Sequence, residues 1–114
     1  MKTFTNQVAQ GDMLLRRIEQ LPDGAEPVAA EKGAYVLAHS ETGHNHVVME
    51  RPDVRFYQDR QNLFLSWLVV EGEPVELEHQ RDFHTHESIQ IEPGVYEVRR
   101  QREYTPEGYR RAQD

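Results

Sequence analysis

Six histidines form two groups in this chain, and the spacing within the two groups is identical. Both groups follow the pattern H-x4-H-x-H: His39, His44, His46 and His79, His84, His86. In an extended strand, residues i and i+2 point to the same side, so each H-x-H pair can direct two imidazoles at one ion. Two such pairs on adjacent strands would supply four imidazoles, which suit Zn²⁺, Ni²⁺, Cu²⁺ or Fe²⁺. The spacing therefore predicts a divalent-metal or small-ligand site.

A carboxylate extends the first group, because Glu50 follows His46 by four residues. The candidate metal ligands are His39, His44, His46, His84, His86 and Glu50. The H-x-H-x3-E pattern resembles the first motif of the cupin family, and Pro93-Gly94 resembles part of the second. That resemblance implies a metal-dependent enzyme as an alternative. Cupins place a metal histidine after the second turn, however, and no histidine follows His86 here.

Two other interpretations of the histidines stay open. They could be ordinary structural residues that hydrogen-bond carbonyls and carboxylates within the fold. They could also form a pH-responsive cluster, since imidazoles gain charge between roughly pH 5 and 7. Catalytic residues are not assigned, because the chain has no G-x-S-x-G nucleophile motif and no phosphate-binding glycine motif.

Composition excludes several classes of protein. The 114 residues include no cysteine, which rules out disulfide scaffolds, thiolate zinc fingers and cysteine nucleophiles. The formal net charge is −7, and an acidic body repels phosphate backbones, so a nucleic-acid partner is not expected. The arginines near the C-terminus, such as Arg99 and Arg100, are expected to pair with acidic groups of the same or a neighbouring subunit.

Hydropathy predicts a cytoplasmic protein without a membrane partner. The first residues lack the apolar stretch of a signal peptide. The longest apolar segment, 63–70, is far shorter than the roughly 20 residues that a bilayer-spanning helix requires. We therefore expect no membrane segment.

Short β-branched and aromatic runs alternate with turn signals, which is typical of an all-β domain. We predict one domain over residues 1–114, with a polar tail or arm over about 105–114. Eight or so strands would form a small roll, barrel or sandwich. The predicted strands are 13–18, 34–39, 46–50, 54–58, 63–71, 75–79, 89–91 and 95–104. The most apolar of these, 63–71, is expected at the centre of the core.

Three segments resemble a family of small uncharacterised proteins from bacterial, phage-like and metagenomic sequences. The segments are Gln10-Gly11-Asp12, Thr42-Gly43-His44-Asn45-His46, and the stretch PGVYEVRRQREY over 93–104. The resemblance implies a β-clip-like fold that assembles into symmetric homo-oligomers, and it leaves the activity open. It also raises an accessory or structural role in a phage or mobile element as an alternative function.

Overall fold

Ten antiparallel β-strands make up the architecture in the computed structural model, which describes residues 6–10, 13–38, 45–79 and 88–100. The strands are β1 (Gln7–Gln10), β2 (Met13–Ile18), β3 (Ala25–Val28), β4 (Ala34–Ala38), β5 (His46–Met49), β6 (Val54–Asp59), β7 (Leu65–Val70), β8 (Val75–His79), β9 (Ile89–Ile91) and β10 (Gly94–Arg100). The prediction of a small all-β domain is confirmed. The described residues contain no α-helix with the length and apolarity that a membrane crossing needs. The tail at 105–114 lies outside the described residues.

The strands form two sheets instead of a closed barrel. The six-stranded sheet has the order β1-β2-β10-β7-β6-β3, and the four-stranded sheet has the order β4-β5-β8-β9. Side chains from both sheets join in one apolar core, which includes Leu15, Leu68, Leu77 and Ile91. The barrel alternative is wrong for the described strands, since each sheet ends in unjoined edges. The β-clip assignment remains a prediction.

Burial follows the hydropathy pattern closely in the central strands. In β7, Ser66 to Val70 are all buried, which confirms that the most apolar segment lies at the centre of the core. In β8, buried Val75 and Leu77 alternate with half-buried Glu76 and Glu78, as a strand with one buried face requires. These strands are therefore positioned by burial of apolar surface.

Two strands were not predicted from the sequence, and one begins later than predicted. Strands β1 and β3 were not expected, because they are short, polar edge strands; β3 even contains Pro27, which an edge strand tolerates. Strand β7 begins at Leu65 instead of 63, since side-chain hydrogen bonds hold the preceding residues in a turn. Strand β10 is described as far as Arg100, so the predicted extension to 104 lies outside the described residues.

All four chain connections between the two sheets lie at one end of the molecule. Segments 29–33, 50–53, 71–74 and 92–93 join β3 to β4, β5 to β6, β7 to β8 and β9 to β10. We call this the crossing end. The opposite end of the four-stranded sheet is where β4 ends, β5 begins, β8 ends and β9 begins. We call it the histidine end, because the chain segments that connect these strand ends contain histidines.

An arginine holds two of the crossing segments together. The Arg51 guanidinium forms a two-point contact with the Asp53 carboxylate, with Nε to Oδ1 at 2.8 Å and Nη2 to Oδ2 at 3.1 Å. It also donates to the carbonyls of Glu73 and Pro74, at 2.6 and 2.9 Å. Gly72 permits this arrangement: its φ is +83°, and a Cβ there would lie 2.5 Å from Asp53 Oδ2.

Candidate histidine site and the pocket at the crossing end

Topology brings the chain positions of the two histidine groups to the same end of one sheet. The first group spans the connection from β4 to β5, with His46 as the first residue of β5. The second spans the connection from β8 to β9, with His79 as the last residue of β8. Strands β5 and β8 are hydrogen-bonded neighbours, and His46 and His79 are register partners. All six histidine positions therefore belong to the histidine end or to the two segments that leave from it.

His46 is the histidine whose side chain the structure describes. It is 2% exposed and lies on the same face of β5 as Val48, which is the face turned toward the core. Its other register partner is Ala38, next to an irregularity in the β4 pairing between Val36 and Ala38. A β-bulge of this kind shifts the direction of the strand beyond it. His46 is thus a buried polar residue at the boundary between the core and the histidine end.

The other predicted histidine ligands lie outside the described residues: His39, His44, His84 and His86. For His79 the structure gives the backbone position only. Within the described ranges, His, Cys, Asp and Glu side chains do not come together in a group of three that could hold a metal ion. Of the predicted histidine ligands, the described part of the chain therefore contains His46, and the others belong to segments 39–44 and 80–87.

Glu50, the predicted carboxylate ligand, lies at the other end of β5. The strand ends at Met49, and four residues at about 3.3 Å each separate Glu50 from His46 by about 13 Å. The Glu50 side chain is exposed, and it lines a pocket at the crossing end. The structure does not bring Glu50 and His46 together.

The two parts of the cupin-like pattern are also separated. Pro93 lies between β9 and β10 and Gly94 begins β10, both at the crossing end, whereas His46 begins β5 at the histidine end. Gly94 instead supports a local contact: a Cβ at this position would collide with the Arg17 guanidinium. Arg17 donates to the Pro93 carbonyl at 3.2 Å, which fixes the turn. The chain thus resembles cupins in the spacing of these residues along the sequence, and the structure places the two parts of the pattern at opposite ends.

A shallow pocket of about 420 Å³ at the crossing end was not predicted from the sequence. Its lining residues are Tyr35, Glu50, Arg51, Pro52, Val54 and Arg55. These residues come from two strands and the segment between β5 and β6, so sequence spacing alone does not reveal them. The one signal in the sequence is Pro52, which is typical of a turn but does not indicate a pocket.

Acidic partners neutralise both arginines in this pocket. The hydrogen bond from Arg51 lowers the pKa of the Asp53 carboxyl below its ordinary value. Arg55 contacts Glu71 at 3.0 Å, and this hydrogen bond raises the pKa of the Arg55 guanidinium. Among the described residues, no lysine or arginine forms an ion pair with Glu50. The pocket therefore combines Tyr35, Pro52 and Val54 with two neutralised arginines and the Glu50 carboxylate.

The arginines near the C-terminus were expected to pair with acidic groups, and Arg99 does so within the chain. Arg99 Nε and Arg16 Nη2 contact the same carboxylate oxygen of Glu97, at 3.1 and 3.0 Å. Partial burial raises the pKa of Glu97, but hydrogen bonds from Arg99 and Arg16 outweigh it, so the pKa is lowered overall. Arg102, Arg110 and Arg111 lie outside the described residues.

Comparison with known proteins identifies a family and leaves the function open. The family model described as "Domain of unknown function (DUF8820)" matches residues 9–101, which is most of the chain. Among curated proteins and among solved structures, no match was found. The match agrees with the prediction of an uncharacterised family; the bacterial or phage-like origin stays a prediction.

Proposed function

Since the chain belongs to the DUF8820 family, a domain of unknown function, we propose its function from its own residues: it is a homo-oligomeric domain that binds a divalent transition metal at the histidine end. Zn²⁺, Ni²⁺, Cu²⁺ and Fe²⁺ are the candidate ions, because all of them accept imidazole nitrogen. The proposed ligands come from His39, His44, His46, His84 and His86. We do not propose catalytic residues.

The observation that carries this proposal is the pairing of the two strand ends from which the histidine segments leave. His46 opens β5 directly opposite the closing residue of β8, His79. The segments 39–45 and 80–88 are short, so their residues stay within reach of this pair of strand ends. Connections at opposite ends of the sheet would separate the two groups, whereas both of these connections leave from the histidine end, which supports the proposal.

The chemistry of a site at this position follows from its surroundings. A histidine that binds a metal through one ring nitrogen commonly donates its other N–H to a carboxylate, carbonyl or water. Asp82 and Glu87 belong to the second segment and are suited to accept such bonds. Glu50 is not included in the proposed set, because about 13 Å of strand separates it from His46.

A direct experiment measures metal binding to the untagged full chain after removal of metal with a chelator. We expect titration with Zn²⁺, Ni²⁺, Cu²⁺ or Fe²⁺ to give stoichiometric binding for at least one ion by calorimetry. In the double variant His84→Ala/His86→Ala, that binding should weaken at least tenfold. These positions are preferred to His46, whose burial means that its replacement would also disturb the core.

The matched control is Glu50→Gln, which removes a carboxylate at the crossing end. It should bind the ion as the parent does. Absence of stoichiometric binding by all four ions in the folded chain would refute the metal site. Equal loss of binding in Glu50→Gln would instead indicate that the ion is held at the crossing end.

A further inference from the structure

Strand β1 forms one edge of the six-stranded sheet, and among the described strands it pairs with β2 alone. Proteins commonly protect such an edge with a proline, a charge or a bulge, because unpaired backbone groups attract other strands. The opposite edge strand, β3, contains Glu26 and Pro27, and edge strand β4 has the irregularity between Val36 and Ala38. Strand β1 has the sequence QVAQ and a regular register, so it has none of these protections.

One hydrogen bond shows which backbone groups of β1 point away from the sheet. The Arg17 N–H donates to the Asn6 carbonyl at 2.8 Å, and this pair continues the register between β1 and β2. In an antiparallel ladder, hydrogen-bonded and non-hydrogen-bonded pairs alternate. Val8 therefore bonds to β2 as Asn6 does, whereas Gln7 and Ala9 direct their N–H and C=O groups outward. Within the described ranges, no residue bonds to these four groups.

A hydrogen bond in another ladder leads to the same assignment. The Arg100 N–H donates to the Phe64 carbonyl at 3.1 Å and continues the register between β10 and β7. The alternation then directs the backbone groups of Glu97 toward β2, where its register partner is Arg16. Arg16 thus bonds to β10, which leaves its partner on β1, Gln7, with its backbone groups turned to the outer edge.

A row of buried side chains also ends at this edge. Val8, Leu15 and Val98 are neighbours across β1, β2 and β10, and their exposed fractions are 9%, 0% and 1%. All three belong to the apolar core. A strand that is added beside β1 extends this row if it places an apolar residue next to Val8. A second copy of β1 does so with its own Val8.

Charge favours a second copy of this chain as the added strand. Residues 1–11 contain no aspartate or glutamate, although the whole chain contains 20 of them. Two copies, each with net charge −7, therefore bring no carboxylate of this segment together when they approach along β1. The same uncharged strand supplies both donors and acceptors, so it is complementary to itself.

We propose that β1 pairs with β1 of a second copy, antiparallel about a two-fold axis, with the two Val8 residues opposite each other. Gln7 of each copy then bonds to Ala9 of the other, and four hydrogen bonds use all the outward groups of both strands. A register centred on Gln7 or on Ala9 would pair only half of these groups within the described residues. The contact is isologous, and it joins the two six-stranded sheets into one. The inference rests on the homo-oligomer part of the proposed function and names its contact; the metal site does not depend on it.

Disulfide formation between copies tests this register, because the chain has no cysteine of its own. Val8→Cys places two thiols at a non-hydrogen-bonded pair, where the Cα atoms lie about 4.5 Å apart and a disulfide fits. Under mild oxidation we expect a covalent dimer, which is identified by mass and disappears on reduction.

A mixture of two exposed variants tests the same contact without a change in the core. Gln7→Cys and Ala9→Cys would face each other at a hydrogen-bonded pair, with Cα atoms about 5.5 Å apart, so their mixture should form a mixed disulfide. In each variant alone, the two thiols meet only across a diagonal of roughly 7–8 Å, so the product should form at least tenfold more slowly. The control mixture combines Gln7→Cys with Gln61→Cys, because Gln61 is exposed in the turn between β6 and β7.

Two results of these mixtures would overturn the proposal. One is a mixed disulfide that forms no faster than in the Gln61→Cys control, which a strand from an unrelated protein at this edge also predicts. The other is self-linkage of Ala9→Cys as fast as in the mixture, which indicates a different register. If the parent still associates in either case, the homo-oligomer part of the proposed function stands and its β1 contact fails. Circular dichroism identifies variants that do not fold.

Sedimentation provides a second, independent measurement. Ala9→Pro removes an outward N–H and leaves the pairing with β2 intact, because Val8 and not Ala9 bonds to β2. Since two of the four hydrogen bonds between copies are lost, self-association should weaken at least tenfold. Ala9→Val keeps the N–H and should stay within about threefold of the parent.

A parent chain that is monomeric at millimolar concentration would overturn both this contact and the homo-oligomer part of the proposed function. An Ala9→Pro variant that associates like the parent would overturn the contact alone. Metal titration of Ala9→Pro should match that of the parent, so failure of the β1 contact and failure of the metal site are distinguishable.

Discussion

His46 and His79 stand opposite each other in the ladder between β5 and β8, although 32 residues of chain lie between them. This pairing places the connection from β4 to β5 beside the connection from β8 to β9. The segments that contain the two histidine groups therefore leave from one end of the four-stranded sheet, and burial fixes the register that pairs these strand ends. A shift by one residue would reverse the faces of one of the two strands, so that either Val48 or Leu77, which are both fully buried, would face away from the core.

Metal binding at this end should raise the thermal stability of the chain. An ion that binds only the folded state at a hundred times its dissociation constant adds about 2.7 kcal/mol to the free energy of unfolding. For a domain of this size, that corresponds to a rise in Tm of roughly 10 °C. Differential scanning calorimetry of chelator-treated and metal-loaded protein measures the shift. Identical Tm values in both samples, with saturating ion, would contradict the proposed site.

Much of the architecture could be predicted from residue patterns, and the histidine end could not. Strands such as β7 and β8 were identified because their apolar and polar residues follow the buried and exposed faces of a sheet. Edge strands β1 and β3 were missed, because backbone pairing instead of apolar burial defines them. The spacing from His46 to Glu50 suggested a shared site, but an extended strand carries Glu50 away from His46. Only the strand order shows which connections are neighbours.

Glu97 should contribute to stability in a pH-dependent way. Its pKa is lowered in the folded protein, because the hydrogen bonds from Arg99 and Arg16 outweigh its burial. A carboxyl with a lowered pKa stabilises the folded state above its unfolded pKa, near 4.5, and that contribution is lost as the pH falls through the folded value. Since the arginines are about half exposed, Glu97→Gln should cost only about 1 kcal/mol at pH 7.

Urea unfolding at several pH values measures this difference. The difference in the free energy of unfolding between the parent and Glu97→Gln should decrease below pH 4.5 and disappear in stronger acid. Glu71→Gln is a suitable comparison, because Glu71 pairs with Arg55 on the surface and is 58% exposed. We expect Glu71→Gln to change the free energy of unfolding by less than Glu97→Gln does. If this difference in the free energy of unfolding stays constant from pH 7 to pH 2, the charge of Glu97 is not its cause.

Tyr96 links the crossing end to the core through its hydroxyl group. The hydroxyl donates to the Glu92 carbonyl at 2.7 Å and accepts from Arg17 Nη2 at 2.9 Å. The Arg17 guanidinium also lies 5.1 Å from the centre of the Tyr96 ring. Tyr96 is fully buried, so Tyr96→Phe keeps the ring and leaves the Glu92 carbonyl without this donor. We expect a loss of about 1–2 kcal/mol in the free energy of unfolding, measured in urea.

Deprotonation of Tyr96 should decrease the stability of the folded protein at high pH. Burial raises the pKa of Tyr96 above its ordinary value of 10.0, although the nearby Arg17 charge lowers it in part. A group with a raised pKa stabilises the folded state fully below its unfolded pKa, and this contribution is lost as the pH rises through the folded value. The parent should therefore lose stability above pH 10 more steeply than Tyr96→Phe, which has no proton to release at this position. Parallel slopes for the two proteins between pH 9 and pH 11.5 would contradict this prediction, because both would then release the same number of protons on unfolding.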